Sequence, residues 1–252
     1  MATITITYGE SVENHIGNQQ IGTPAKHGLT AKKLKEIKKK LEDDDFKCKY
    51  INLNDMLPQD LDDTEDINEA GILIVRNFIA KFFDNDNTEN NMYDELVDLD
   101  WDKQALMRGK VKNKLARWNL CFADFSQEPD YEEGKGRVYK FSDVKKLLKI
   151  KKFLEKLVDI NLNAEGNYYY DTEKCYIGYH GDTERKIVIA IRFGDAFPIY
   201  FKWFKNSDSV SDAKKIMLNG GDLYIMSEKA SGFDWKRRSI YTIRHGAGNI
   251  EK

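Results

Sequence analysis

The stretch that decides the fold is residues 167–193, NYYYDTEKCYIGYHGDTERKIVIAIRF. An aromatic segment leads into Tyr179-His180-Gly181-Asp182, and a β-branched segment follows, which predicts two strands joined at this tetrapeptide. Residues i and i+2 of a strand point to the same side of a sheet, so His180 and Asp182 can converge on one point. The pair is therefore a candidate for metal binding. The alternative is a histidine and an aspartate in a solvated turn.

A third metal ligand has one candidate downstream of this triplet. The chain has four histidines, and only His245 follows Asp182. It ends residues 238–245, RSIYTIRH, whose β-branched and aromatic residues predict a strand. Two imidazoles and one carboxylate form the facial triad that holds non-haem Fe(II) and leaves coordination positions open. In the alternative, His245 packs against the outer wall of the fold or is hydrogen-bonded in a C-terminal turn.

Arg238 and Arg244 lie in the same predicted strand, six residues apart. On a regular strand they face one side and His245 faces the other. A guanidinium grips a carboxylate through two parallel hydrogen bonds, so two arginines suit a cosubstrate with two carboxylates. His245 and Arg244 can reach one site only if the strand is bulged, and the glycines of residues 246–248 permit such a bulge.

The order of these segments resembles the Fe(II)- and 2-oxoglutarate-dependent oxygenases of the AlkB type. The resemblance covers about the last 90 residues and is carried by Tyr170, His180-Gly181-Asp182, the strand Lys186–Phe193, Gly221-Asp222 with the apolar strand after it, Ala230 to Asp234-Trp235, and Arg238 with Arg244. In that family the third ligand stands between the Asp-Trp segment and the first arginine. Here that space holds only Lys236 and Arg237.

The resemblance implies a fold, a cofactor and a reaction. The fold would be a double-stranded β-helix, or jelly-roll, with Fe(II) on His180, Asp182 and His245. Tyr170 and Arg238 would contact the chain of 2-oxoglutarate, and Arg244 would lie near its reacting end. Molecular oxygen would be the second cosubstrate, and the reaction would hydroxylate or oxidatively demethylate a nucleobase. Lys236 or Lys229 would anchor the cosubstrate if Arg238 does not.

Three functions fit the same residues. A DNA or RNA substrate is supported by the basic and aromatic stretch 101–118, which could line a substrate groove. However, the net charge of −2 creates no overall field that attracts nucleic acid, so the oxygenase could instead act on a protein side chain or a small metabolite. A non-catalytic jelly-roll that binds a ligand is the third possibility, because His245 departs from the family's order.

Length and composition predict the organisation of the chain. Its 252 residues, 41% of them hydrophobic, can build a single catalytic domain of α+β class. We expect residues 1–160 to be an N-terminal extension with substrate-covering elements, and residues 161–252 to be the main jelly-roll segment. No segment approaches the roughly 18 apolar residues of a membrane span, and the first residues do not resemble a signal peptide. These features predict a soluble intracellular protein, cytoplasmic or nuclear, without membrane contact.

Hydrophobic periodicity predicts the individual elements. Alternating Thr and Ile over residues 2–8 indicates a strand, which we expect at a sheet edge. Helices are predicted from Thr30 into the lysine-rich segment, and over residues 143–158 with Ser142 as the N-cap. Strands are predicted at residues 46–53, 71–79, 167–177, 186–193, 198–204, 214–218, 222–227 and 238–245.

Overall fold

The computed structural model describes residues 1–58 and 67–251, which form a mixed α+β fold dominated by strands. The strands are β1 (Thr3–Gly9), β2 (Ser11–Glu13), β3 (Gln20–Gly22), β4 (Lys47–Asn52), β5 (Gly71–Arg76), β6 (Gln104–Met107), β7 (Lys110–Asn113), β8 (Trp118–Ala123), β9 (Val138–Lys140), β10 (Asn163–Tyr169), β11 (Tyr176–His180), β12 (Val188–Gly194), β13 (Phe197–Lys205), β14 (Asp208–Ser209), β15 (Lys214–Leu218), β16 (Leu223–Met226) and β17 (Thr242–Gly248). The helices are α1 (Ala31–Asp43), α2 (Phe78–Phe83), α3 (Thr88–Val97), α4 (Lys145–Val158) and α5 (Glu228–Ser231).

Two sheets carry the architecture. The large sheet has eight strands in the order β4-β5-β16-β12-β1-β10-β8-β9, and only the β8-β9 pair is parallel. The small sheet has five strands in the order β11-β17-β13-β14, with β15 also paired to β13. Two hairpins, β2-β3 and β6-β7, form separate two-stranded sheets. Within the described residues, no helix is long and apolar enough to cross a membrane.

Strand β1 lies in the middle of the large sheet, between β10 and β12. The predicted strand is confirmed, but its expected position at an edge is wrong. The alternation of Thr and Ile showed that one face of β1 is polar and the other apolar. We attributed the polar face to solvent exposure at a sheet edge. In the structure Ile4 and Ile6 pack in the hydrophobic core, whereas Thr5 and Thr7 line an internal cavity.

Helices α1 and α4 contribute apolar faces to the same core as Ile4 and Ile6. The predicted spacing is confirmed, since Leu34, Ile37 and Leu41 of α1 are all buried. Thr30 caps α1 by accepting a hydrogen bond from the amide of Lys33. Helix α4 begins at Lys145, two residues later than expected, because residues 141–143 form a short 3-10 helix and the Ser142 hydroxyl bonds Asp143 instead.

The predicted strand 167–177 is two strands in the structure. Strand β10 ends at Tyr169 in the large sheet, and β11 begins at Tyr176 in the small sheet. Between them Asp171 accepts backbone hydrogen bonds from Lys174 and Cys175, which turns the chain from one sheet to the other. The aromatic residues on both sides conceal this turn in the sequence, and Asp171 was the local signal for it.

The last strand also differs from its prediction. Strand β17 begins at Thr242 rather than residue 238, and it continues through Gly248. Residues 186–193, 198–204, 214–218 and 222–227 match β12, β13, β15 and β16 to within two residues at each end.

The space between the two sheets is apolar in one half. There the small-sheet residues Ile199, Phe201 and Trp203 pack with Ile74 and Met226 of the large sheet. The indole of Trp203 donates a hydrogen bond to the carbonyl oxygen of Leu53, 2.8 Å away, so this buried polar group is satisfied. The other half of the space is polar and contains the cavity described below.

Truncation of a side chain in the centre of the large sheet should destabilise the whole fold. Ile191 of β12 is fully buried, so Ile191→Ala should lower the free energy of unfolding by about 2–5 kcal/mol. Met217 of β15 is an exposed residue, and Met217→Ala should change the free energy of unfolding by less than about 0.5 kcal/mol. Urea unfolding followed by circular dichroism measures both, and equal effects would contradict the described packing.

Candidate metal centre

His180, Asp182 and His245 lie together at the polar half of the inter-sheet space. One ligand atom from each side chain lies within 4.8 Å of the others. The Asp182 Oδ1 atom is 3.5 Å from His180 Nε2 and 3.6 Å from His245 Nε2. The structure therefore brings together the three residues that the sequence analysis selected as metal ligands.

The register of β11 against β17 makes this convergence possible. His180 lies directly opposite His245, and Ile177 lies opposite Ala247. Two residues of β11 therefore face one residue of β17, which is a β-bulge. We expected a bulge at residues 246–248, but β17 pairs regularly with β13 there, so that expectation is wrong. The bulge lies on the neighbouring strand and re-aims His180.

Asp182 follows β11 and is held by its backbone. Its amide donates a hydrogen bond to the carbonyl oxygen of Ser231, at 3.0 Å, at the end of α5. Gly181 lies against Gly232 so closely that an added Cβ atom would be 2.0 Å from the Gly232 carbonyl oxygen. The glycine of the His-Gly-Asp triplet is thus required by the close approach of two backbones.

The two histidines present ring nitrogens suited to a metal. His180 Nδ1 lies 2.9 Å from the carbonyl oxygen of Gly178. Because a carbonyl oxygen only accepts hydrogen bonds, Nδ1 carries the proton, and the lone pair of Nε2 is available to coordinate a metal. Burial, followed by the neighbouring His180, lowers the pKa of His245 to about 3. His245 is therefore neutral at physiological pH, as a metal ligand must be.

Asp182 is kept as an anion by the groups around it. Burial opposes its ionisation, but Arg185 and the two histidines hold the pKa of its carboxyl below the usual range. Arg185 is buried and places Nε 3.5 Å from Asp182 Oδ2, and it also donates to Glu165 at 2.7 Å and to Glu184 at 2.6 Å. With Oδ2 facing Arg185, Oδ1 faces the two imidazoles. One carboxylate oxygen and two imidazole nitrogens fit the donor set of a facial triad.

A cavity of about 370 Å³ lies beside the three ligands, between the two sheets. Its floor comes from alternate residues of the large sheet, and its polar members are Thr5, Thr7, Arg117, Asn119, Glu165, Asn167, Tyr169, Arg192 and Tyr224. The volume is within the range of small-molecule sites, which start at about 300 Å³.

Arg192 of β12 is the unusual member of this floor. It is only 1% exposed, donates to the Thr5 hydroxyl, and lies over the ring of Phe197. Its Nε atom is buried without a hydrogen-bond partner, and no ion pair to it is found among residues 1–58 and 67–251. A buried charge without a counter-ion is costly, so Arg192 is suited to an anionic ligand.

Sequence reasoning missed Arg192, although a signal was present. The residue is the one charge in the strand-forming run Val188–Phe193, where it interrupts an otherwise apolar pattern. Burial raises the pKa of Tyr224 to about 12 and raises that of Tyr169, and in both cases Arg192 acts in the opposite direction. Both phenols therefore lie near this guanidinium and remain protonated hydrogen-bond donors.

The structure places Tyr170, Arg238 and Arg244 outside the lining of the cavity. Tyr170 stacks on Trp118 at 4.4 Å and donates its hydroxyl proton to the Leu115 carbonyl oxygen. Arg238 is exposed in the turn before β17. Their expected contacts with 2-oxoglutarate are thus not supported by their positions.

Arg244 and His245 are neighbours on β17, so they could not both face the cavity, as the roles expected of them required. Arg244 faces the side of β17 opposite to His245, where its guanidinium lies over the rings of Phe204 and Trp235, at 4.0 and 5.3 Å. The alternate cosubstrate anchors lie elsewhere as well: Lys229 pairs with Asp234 at 2.7 Å, and Lys236 is exposed.

A viral relative shows the family to which the chain belongs. No family model matches the chain. The uncharacterized protein R156 of Acanthamoeba polyphaga mimivirus is 43% identical to it over 247 residues, which cover 98% of this chain and 95% of that protein.

Two glycines beside the triad should respond differently to a methyl group. Gly181→Ala should weaken binding of Mn(II) by about 10- to 100-fold, because Asp182 must shift to relieve the contact with Gly232. Gly178→Ala is the matched control, since its added Cβ meets no atom within 4 Å. This substitution also keeps the backbone carbonyl that accepts the hydrogen bond from His180 Nδ1. Calorimetric titration measures both, and equal affinities would contradict the described geometry.

Proposed function

We propose that this chain, which belongs to the same family as the mimivirus protein R156, is an Fe(II)- and 2-oxoglutarate-dependent oxygenase that hydroxylates a C–H bond of its substrate. The observation that carries this proposal is the cluster of His180, Asp182 and His245. Two imidazoles and one carboxylate are the ligands of non-haem Fe(II) oxygenases. Structural zinc sites instead use four protein ligands.

The arrangement of strands supports a double-stranded β-helix. From β10 onward the chain passes repeatedly between the sheets: β10, β12 and β16 belong to the large sheet, and β11, β13 and β17 to the small one. Such alternation between two antiparallel sheets is typical of a jelly-roll. The ligands lie on β11, on the turn after it, and on β17, so all three come from the small-sheet side.

Arg192 supports the choice of 2-oxoglutarate as the cosubstrate. This cosubstrate carries two carboxylates, and a charge-assisted pair with a carboxylate would neutralise the buried guanidinium. Tyr169 and Tyr224 lie close enough to influence the same anion, and Thr5 already orients the guanidinium. We therefore assign the anchoring role to Arg192 rather than to Arg238 or Arg244.

The roles of the residues follow from this assignment. His180, Asp182 and His245 would hold Fe(II), which would supply the redox chemistry that couples oxidation of 2-oxoglutarate by O₂ to hydroxylation. Arg185 keeps the Asp182 carboxylate ionised and directs one oxygen toward the imidazoles. The apolar half of the inter-sheet space, around Trp203, closes the site on one side.

A nucleobase is the substrate class favoured by one surface feature. The β6-β7 hairpin exposes Arg108, Lys110 and Lys112 next to Lys103, which lies over the ring of Trp118. Exposed cations beside an aromatic ring are typical of nucleic-acid surfaces. A small metabolite is the alternative, favoured by the size of the cavity beside the triad, about 370 Å³.

Removal of any one ligand should abolish both metal binding and turnover. We expect His180→Ala, Asp182→Ala and His245→Ala to lose Fe(II) affinity to a comparable degree, because each opens the site without emptying a hydrophobic core. Anaerobic Fe(II) titration and 2-oxoglutarate consumption are the measurements. His27→Ala removes an exposed histidine and serves as the control. Turnover by Asp182→Ala, or near-normal iron binding by His245→Ala, would refute the triad.

Loss of the proposed anchor should affect the cosubstrate. Arg192→Gln should raise the 2-oxoglutarate concentration required for half-maximal turnover by about 10- to 100-fold, as expected for a lost hydrogen bond to a charged group. Arg238→Gln and Arg244→Gln are matched controls that remove arginines outside the cavity. Arg192→Lys tests whether a charge alone suffices. An increase caused by Arg238→Gln and not by Arg192→Gln would contradict the assignment.

A further inference from the structure

The floor of the cavity carries a continuous row of polar side chains that leads away from the metal ligands. Asp182 Oδ2 faces Arg185, and Arg185 donates to Glu165 Oε2 at 2.7 Å. The other oxygen of Glu165 accepts from the side-chain amide of Asn167 at 3.1 Å, and Asn167 Oδ1 accepts from Arg117 Nε at 2.6 Å. Arg117 is thus connected to a candidate metal ligand by two ion pairs and two hydrogen bonds in series.

Arg117 has hydrogen-bonding capacity that the cavity does not use. Its Nε atom and the amide of Asn119 both donate to the single Asn167 Oδ1 atom. No ion pair of Arg117 is found within residues 1–58 and 67–251. The planar guanidinium has five N–H donors, and its two terminal nitrogens are the ones that pair with carboxylates and phosphates.

Lys114 and His15 lie close to Arg117, and the carboxyl groups of Glu13 and Glu165 line the same cavity. Lys114 is buried and donates to the Asn14 carbonyl oxygen at 3.0 Å, and burial lowers its pKa to about 8. Burial, then Lys114 and then Arg117, lowers the pKa of His15, which lines the same corner of the cavity. Asp102 lies near Lys114, but its carboxylate oxygens accept from Asn14, Tyr131 and the Arg137 amide.

Arg117 and Arg192 lie at different depths of the cavity. Arg192 is almost completely buried, whereas Arg117 is half-buried beside His15 and the exposed Ile16 at the opening. Arg117 directly precedes β8, which is separated in the large sheet from β12, the strand of Arg192, by β10 and β1. Three strand spacings of about 4.8 Å place these two strands roughly 14 Å apart. A cosubstrate anchored at Arg192 would therefore leave Arg117 at the open end.

We propose that Arg117, with Asn119 and Asn167, forms a second oxyanion subsite, which binds a carboxylate or phosphate group of the substrate. The identity of the occupant as a substrate rests on the proposed oxygenase function, whereas the binding of an oxyanion does not. The group would be held at the open end of the cavity, and the rest of the substrate would extend inward toward His180, Asp182 and His245. The subsite selects small anionic molecules, or the anionic part of a larger one.

The test uses inorganic phosphate and acetate as separate probes of the metal-free, full-length protein. NMR titration of the ¹⁵N-labelled chain follows the side-chain amides of Asn119 and Asn167. Arg117→Gln should weaken binding of the preferred probe by about 10- to 100-fold, and Arg117→Lys should retain part of the affinity. Arg237→Gln, which removes an exposed arginine between α5 and β17, should bind as the unmodified protein does. The tighter of the two probes identifies the oxyanion as a phosphate or a carboxylate.

Two results would overturn the subsite. One is unchanged probe binding at Asn167 in Arg117→Gln. The other is loss of all probe binding in Arg192→Gln with retention in Arg117→Gln, because the cavity would then have a single anion site, that of the cosubstrate. Failure of the oxygenase proposal is seen separately, as absence of Fe(II)-dependent 2-oxoglutarate consumption by the unmodified protein. The NMR readout requires neither metal nor turnover, so the two failures are distinguishable.

Discussion

The candidate site depends on one pairing in the small sheet, that of His180 on β11 with His245 on β17. These residues are far apart in the chain, and the antiparallel register places them directly opposite each other. A slip of one residue would turn one imidazole to the other face of the sheet, where Arg244 now lies. The bulge between Ile177 and His180 has the same importance, because it sets which residue of β11 meets His245.

A second constraint is the burial of charge beside this pairing. Asp182, Arg185 and Glu165 are all almost excluded from solvent, and each would be costly alone. Their mutual contacts, at 2.7 Å between Arg185 and Glu165 and at 3.5 Å between Arg185 and Asp182, compensate that cost. Arg192 has no such compensation within the described residues. Arg185 and Glu165 therefore serve to hold Asp182 in place, whereas the guanidinium of Arg192 is available to bind an anion.

The sequence allowed prediction of features that depend on local periodicity. The convergence of His180 and Asp182 follows from the two-residue repeat of a strand, and the opposite orientations of Arg244 and His245 follow from the same rule. The helices α1 and α4 were predictable because their apolar residues recur at helical spacing. Conversely, the central position of β1 depends on pairing with β10 and β12, more than 150 residues away, which periodicity does not encode.

Arg192 illustrates the same limit for the site. Its interruption of an apolar strand was visible, but its burial depends on Thr5 of β1 and on the ring of Phe197. The sequence could not show that β1 would supply the neighbouring hydroxyl. Arg238 and Tyr170 were selected by their order along the chain, which carries no information about the cavity's lining. The location of the bulge was also inaccessible, because glycines occur on both strands and only the cross-strand register distinguishes them.

The most direct test of the central claim, a metal centre closed across β11 and β17, is anomalous X-ray diffraction at the iron edge. Crystals of the full chain would be soaked with Fe(II) without oxygen. We expect one strong anomalous peak at about 2 Å from His180 Nε2, Asp182 Oδ1 and His245 Nε2, the usual length of such metal–ligand bonds. A peak elsewhere on the molecule, or none at these three atoms, would contradict a metal centre formed by these residues.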